Sequence, residues 1–222
     1  MPKGFYTDDR GRVRPVAGGG GKGGLLLAGL VALSAVGYGG AVGLSAGPGE
    51  ASGAGGSGLG LAARKAEGAD LARRGDAEGA WLRMGLRAHA QSPREGADCV
   101  TASFGGVREF LRRTRCVSMD RALFTVGDDA GNTMVVSVAW VEFASRADAR
   151  EFQALLDQPG SGDISPLPGA LVGLGDVAFT GANYGAERER GTVTVAEAEP
   201  VSGFVTPEVL DAVAEVAALL PR

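Results

Sequence analysis

Between Gly23 and Gly49 the chain carries no charged side chain, and Leu25 to Ala46 supplies 22 mostly apolar residues. As a helix rising about 1.5 Å per residue this run is roughly 33 Å long, enough to cross a hydrocarbon core of about 30 Å. Leu25, Leu26, Leu27, Leu30, Val31 and Leu33 favour lipid, and the glycines that follow are better tolerated in a membrane helix than in a soluble one. The pattern predicts a transmembrane signal anchor over residues 24–47. The competing assignment is a cleaved signal peptide with Leu25 to Val36 as its apolar core.

Beyond it the pattern weakens and then sharpens. Pro48 to Gly58 is almost entirely glycine, serine, alanine and proline, so 48–60 reads as a flexible linker. Residues 61–96 read as a partly helical stalk, interrupted by Gly68, Gly75, Gly79 and Gly85, with a cap at Asp76 and an apolar side through Trp81, Leu82, Met84 and Ala88. Residues 97–222 carry the regular periodicities of one folded domain.

In that domain Val107, Phe110, Leu111 and Thr114 recur at helical spacing, with arginines on the opposite face. Val117 to Val126 and Met134 to Phe143 then form a hairpin around a turn at Gly127 to Asn132. The second strand is apolar on both sides and is expected at the centre of a sheet. Ser145 caps a helix buried through Ala149, Phe152, Leu155 and Leu156, ended by Pro159 and Gly160. A loop to Gly175 leads to a second pair, Asp176 to Tyr184 with Gly191 to Glu199, joined by a charged turn at Glu187 to Arg190. Pro207 opens a last helix with Val209, Leu210, Val213, Val216, Ala217 and Leu220 inward. The expected fold is α+β: an antiparallel sheet with helices on one face, in the order α-ββ-α-ββ-α, and a short edge strand from Cys99 to Phe104.

Charge changes this picture by giving the chain a direction. The first 22 residues hold Lys3, Arg10, Arg12, Arg14 and Lys22 against Asp8 and Asp9, a local +3, and the next basic residue is Arg64. The positive-inside rule then places a tail, 1–23, in the cytoplasm and the domain outside. From Asp98 onward 10 basic residues face 18 acidic ones, a net of −8, which argues against nucleic acid as a partner. The partners expected are the lipid bilayer and an envelope protein or ligand.

Cys99 and Cys116 are the only cysteines, and an even pair in an oxidising compartment is expected to form a disulfide. Ala35, Gly39, Gly43 and Gly47 recur every four residues, a small-residue stripe through which two membrane helices could pack as a homodimer. Arginine outnumbers lysine heavily, which suggests a high-GC bacterium. With its anchor, and a disulfide around the first helix of the domain, the chain resembles single-pass or secreted envelope proteins of high-GC bacteria that carry a small α+β domain. That resemblance covers the anchor and Cys99 to Arg222, and it implies location more than activity.

Candidate chemistry is sparse. Gly43 to Gly47 matches the G-x-S-x-G pattern without the strand, helix or histidine base that a nucleophile elbow requires. Gly173, Leu174, Gly175 and Ala178 imitate a dinucleotide fingerprint but precede a strand instead of following one. Arg74, Gly75 and Asp76 form an integrin-type tripeptide of no assigned role. His89, the sole histidine, lacks partners for a metal or catalytic triad, and Asp128 with Asp129 reads as a turn, not a calcium loop. No catalytic residue, metal ligand or cofactor site is assigned. The acidic residues Glu142, Asp157, Asp163, Asp176, Glu187, Glu189, Glu197 and Glu199 leave two classes open. A flat acidic surface would favour an interaction or sensing module, and a concave pocket holding two acids of raised pKa would favour a hydrolase. A passive structural protein is the third class.

Overall fold

The structure is a computed structural model that describes residues 5–7, 13–15 and 60–222. The chain divides into two compact units, one of Met1–Val16 with Gly56–Arg222 and the other of Ala17–Gly55, which lies outside the described residues. The predicted membrane helix 24–47, its stripe at Ala35, Gly39, Gly43 and Gly47, and the linker up to residue 59 therefore lie outside them as well. Among the described residues no helix is long and apolar enough to cross a membrane.

Near the amino terminus β1 (Phe5–Thr7) pairs with β2 (Val13–Pro15) in a small antiparallel sheet of its own. The main fold then runs α1 (Leu61–Arg73), α2 (Ala77–Met84), β3 (Arg87–Gln91), β4 (Glu95–Ala97), α3 (Gly105–Arg113), β5 (Cys116–Gly127), β6 (Thr133–Phe143), α4 (Arg146–Leu156), β7 (Tyr184–Glu189), β8 (Thr192–Ser202) and α5 (Pro207–Ala217). It is an α+β fold whose six-stranded antiparallel sheet has the order β3-β5-β6-β8-β7, with β4 also on β5. From α3 onward the order is α-ββ-α-ββ-α, and the doubly apolar β6 is central, as its composition requires.

Local chemistry sets the boundaries. Asp76 accepts a hydrogen bond from the Gly79 N–H at 2.8 Å to start α2, which makes Arg74-Gly75-Asp76 a helix junction. The Ser145 hydroxyl oxygen accepts from the Asp148 N–H at 3.1 Å to start α4. In the β5–β6 turn Asp128 accepts from the Ala130 and Asn132 N–H groups and from the Asn132 side chain, so this aspartate closes a turn.

Helices cover both faces of the sheet, not the single face expected. Along β5, β6 and β8 the even-numbered Phe124, Val136, Val138, Trp140 and Ala198 pack under α1, α2 and α5 through Trp81, Met84 and Val213. The odd-numbered Met119, Val141, Phe143 and Val195 pack under α3 and α4 through Val107, Leu111 and Phe152. A central strand apolar on both sides needs cover on both sides. The segment 61–96 supplies part of it: α1 and α2 belong to the first core, and β3 and β4 are strands of the sheet.

Two strand assignments also change. Residues 176–183 form no ladder, and β8 pairs instead with Tyr184–Glu189 through a tight turn at Arg190 and Gly191, where Arg190 takes a φ of 56°. The charged run 187–190 is thus largely an edge strand, where charged side chains meet solvent and discourage further pairing. Residues 99–104 make only a single bridge, Ser103 to Ile164, and β4 takes the edge position predicted for them. The Cys99–Cys116 disulfide is present, with Cα atoms 6.5 Å apart, and brackets α3.

Candidate functional site

The alternation of β8 delivers the first functional side chains. Ala196 and Ala198 face the α5 side, which sends Glu197 and Glu199 to the opposite face, toward the chain between α4 and β7. That chain leaves α4 at Asp157 and turns back through Gly160 and Gly162, at φ 78° and 98°. It then lies against the start of α3, where the Val107 N–H donates to the Ser161 carbonyl at 3.1 Å and the Phe104 N–H to the Asp163 carbonyl at 2.9 Å. A Cβ on Gly162 would collide with the Phe104 carbonyl, so only glycine permits this approach. The result is that Asp163 is carried over the sheet to meet Glu197.

Around this meeting point lies a cavity of about 440 Å³. Phe104, Leu156, Ile164, Val177 and Phe179 supply apolar walls, Asp157 stands at the exposed side, and Tyr184, Asp163, Glu197, Thr180 and Gln158 supply the polar groups. None of the side chains lining it is basic. An apolar cleft of several hundred Å³ with a few convergent polar groups is the usual form of a small-ligand site.

The two acids are hydrogen-bonded to one another, and their proton affinity is abnormal. Burial first, and the neighbouring Asp163 carboxylate second, push the Glu197 carboxyl up to about 9. Burial also raises Asp163, opposed by its hydrogen bonds from Glu197 and from the Ile164 N–H. Near neutral pH Glu197 therefore keeps its proton and shares it toward Asp163, because two adjacent charges in a poorly solvated place repel. The Gly181 N–H donates to Glu197 at 3.1 Å, and the Thr180 N–H and hydroxyl donate to Glu199 at 2.8 and 2.6 Å. These bonds replace the ladder that residues 176–183 lack.

Tyr184 completes the floor. Burial and the surrounding carboxylates raise its phenol well above the ordinary range, so it stays neutral and donates to Asp157 at 3.3 Å.

No protein-family profile, curated protein or solved structure matches this chain.

Of the acidic residues singled out in the sequence, Asp157, Asp163, Glu197 and Glu199 come together here. The others do not. Glu142 pairs with Arg222 and accepts from Ser118, Glu187 and Glu189 lie on the β7 edge, and Asp176 is exposed. His89 is exposed on β3, and Gly173, at φ 75°, closes a 3-10 turn (Gly169–Val172). Among the described residues no group of three or more histidine, cysteine or acidic side chains is placed to hold a metal. Tyr184, Thr180, Phe104 and Phe179 were not legible as site residues, since only the β7–β8 register and the path of the loop bring them to the acids.

Proposed function

We propose that the protein is a ligand-binding, sensing module of the bacterial cell envelope. In this reading segment 24–47 holds it in the membrane with its amino terminus in the cytoplasm, and residues 60–222 present the cavity outside. The observation that carries the binding role is the apolar cavity with a proton-sharing acid pair at its floor. The positively charged start of the chain supports the orientation, and the disulfide suits an oxidising compartment.

Ligand-observed NMR with a fragment library tests the cavity: fragments bind the intact chain and are lost in Val177→Trp, whose indole fills the space. Hits that are indifferent to that variant sink the assignment. Alkaline phosphatase fused at Arg222 tests the address and is active in intact cells; activity of a fused reporter only in the cytosol refutes it.

A concave pocket holding two acids of raised proton affinity is the feature expected of a carboxylate hydrolase, and it supports that second reading, because two carboxyls sharing a proton can act as general acid and base. Glycoside hydrolysis fits poorly. It needs carboxyls separated by about 5 Å or more, and here they are in hydrogen-bond contact. Hydrolysis of peptide or ester substrates that vanishes in Glu197→Gln, with binding intact, would establish this alternative.

A further inference from the structure

Resting on the reading of this cavity as a ligand site, we propose that its occupant is an organic cation, a protonated amine carried on a hydrophobic body. The ionisable groups that reach the cavity are Asp157 from the end of α4, Asp163 from the loop, Glu197 from β8 and Tyr184 from β7, beside the neutral Gln158 and Thr180, with Glu199 two residues along β8 bound to Thr180. Three acids, Asp157, Asp163 and Glu197, line the space, and no lysine or arginine is there to balance them. An anionic ligand meets acids and no countercharge there. A sugar needs many polar partners, whereas Gln158 and Thr180 are the only further polar side chains in the lining and the larger walls are Phe104, Leu156, Ile164, Val177 and Phe179.

An ammonium group resolves the one electrostatic conflict that the site contains. Its N–H donors can replace the single proton between Asp163 and Glu197, while its positive charge allows both acids of the pair to ionise. Aromatic rings in the walls add cation–π attraction, and the apolar surface takes the hydrocarbon part. The step balances in charge: the protonated amine enters with its charge, and the Glu197 proton leaves to solvent. Binding therefore strengthens as pH rises toward about 9, up to about tenfold per unit while one proton is released.

The test is isothermal titration of the intact chain with three isosteres, phenethylamine, 2-phenylethanol and phenylacetate, at pH 7 in phosphate and in Tris. The expected result is phenethylamine binding at least tenfold tighter than the alcohol, no binding of the carboxylate, and a buffer dependence that corresponds to release of about one proton. Glu197→Gln loses at least tenfold for the amine and nothing for the alcohol. Asp157→Asn, at the exposed rim, weakens the amine by a smaller factor and guards against a folding artefact. Equal binding of the alcohol or the carboxylate, or no proton release, overturns the cationic class and leaves the cavity a ligand site. No binding by any of the three overturns both.

Discussion

Tyr184 and Glu197 stand directly opposite one another in the β7–β8 ladder. Opposed residues of an antiparallel pair share a face, so the phenol and the carboxyl open into the same cavity. The phenol is not among the causes that raise Glu197, whose abnormal affinity comes from burial and from Asp163. Tyr184→Phe should leave the Glu197 titration near 9, and Asp163→Asn should lower it. Carboxyl 13C shifts followed by NMR read both; a large drop in the tyrosine variant would show that the phenol sets the site.

The same acid pair makes stability depend on pH in a definite direction. Folding raises the Glu197 affinity for its proton from an ordinary 4.5 to about 9, so the folded state binds more protons throughout that window. Stability should be greatest below about pH 4.5 as far as this group is concerned, and should fall as pH rises through about 9. The slope is at most about 1.4 kcal/mol per pH unit for one proton. Glu197→Gln, whose neutral amide can still donate to Asp163, should flatten the profile and raise stability at pH 8. Urea unfolding at pH 5, 7 and 9 measures it.

Reduction of the Cys99–Cys116 bridge, or Cys99→Ser with Cys116→Ser, should cost about 3 kcal/mol for a closure across 17 residues. Because the bridge fixes both ends of α3, the loss should show as faster amide exchange in α3 and in the 159–163 turn that rests on it. Exchange unchanged there would separate the bridge from the site.

Gly185 lets α5 approach the β7 backbone, since a Cβ at this position would meet the Ala214 carbonyl oxygen at 2.7 Å. Gly185→Ala should destabilise the fold by roughly 1–3 kcal/mol. Chemical denaturation checks this, with Gly131→Ala as a comparison: that site has open space but a φ of 86°, so its cost reports backbone strain alone.

Trp140 donates its indole N–H to the Leu220 carbonyl at 2.7 Å, and the Arg94 guanidinium lies 4.1 Å from its ring centroid. Trp140→Phe should lose roughly 2–3 kcal/mol, because it leaves a buried carbonyl without its donor and shrinks the core. A denaturation midpoint equal to that of the native chain would show the carboxy-terminal tail to be unimportant.

The amphipathic stripes of α3, α4 and α5, the caps at Asp76 and Ser145, and the central place of β6 were legible because each is written in neighbouring residues. The disulfide was legible because only two cysteines exist. What escaped was set by long-range register. The charged run Glu187 to Arg190 has the composition of a turn, and only the pairing of Glu187 to Glu189 with Thr192–Thr194 shows it to be mostly an edge strand. Asp163 and Glu197 are both plain as acids in the sequence, yet nothing local says that a glycine-dependent reversal brings the loop onto β8. The cover on both faces was implied by the two apolar sides of β6, but a helix pattern does not say which face it will take.

In β8, Ala196 and Ala198 seal one core while Glu197 and Glu199 project into the other side of the sheet. Displacing this strand by one position would thrust two acids beneath α5 and leave methyl groups facing the cavity. The side chains that endow the molecule with its chemistry therefore also oppose a slipped alignment of this strand: a copy of the fold with the wrong register would be penalised at the same moment that it lost its capacity to bind.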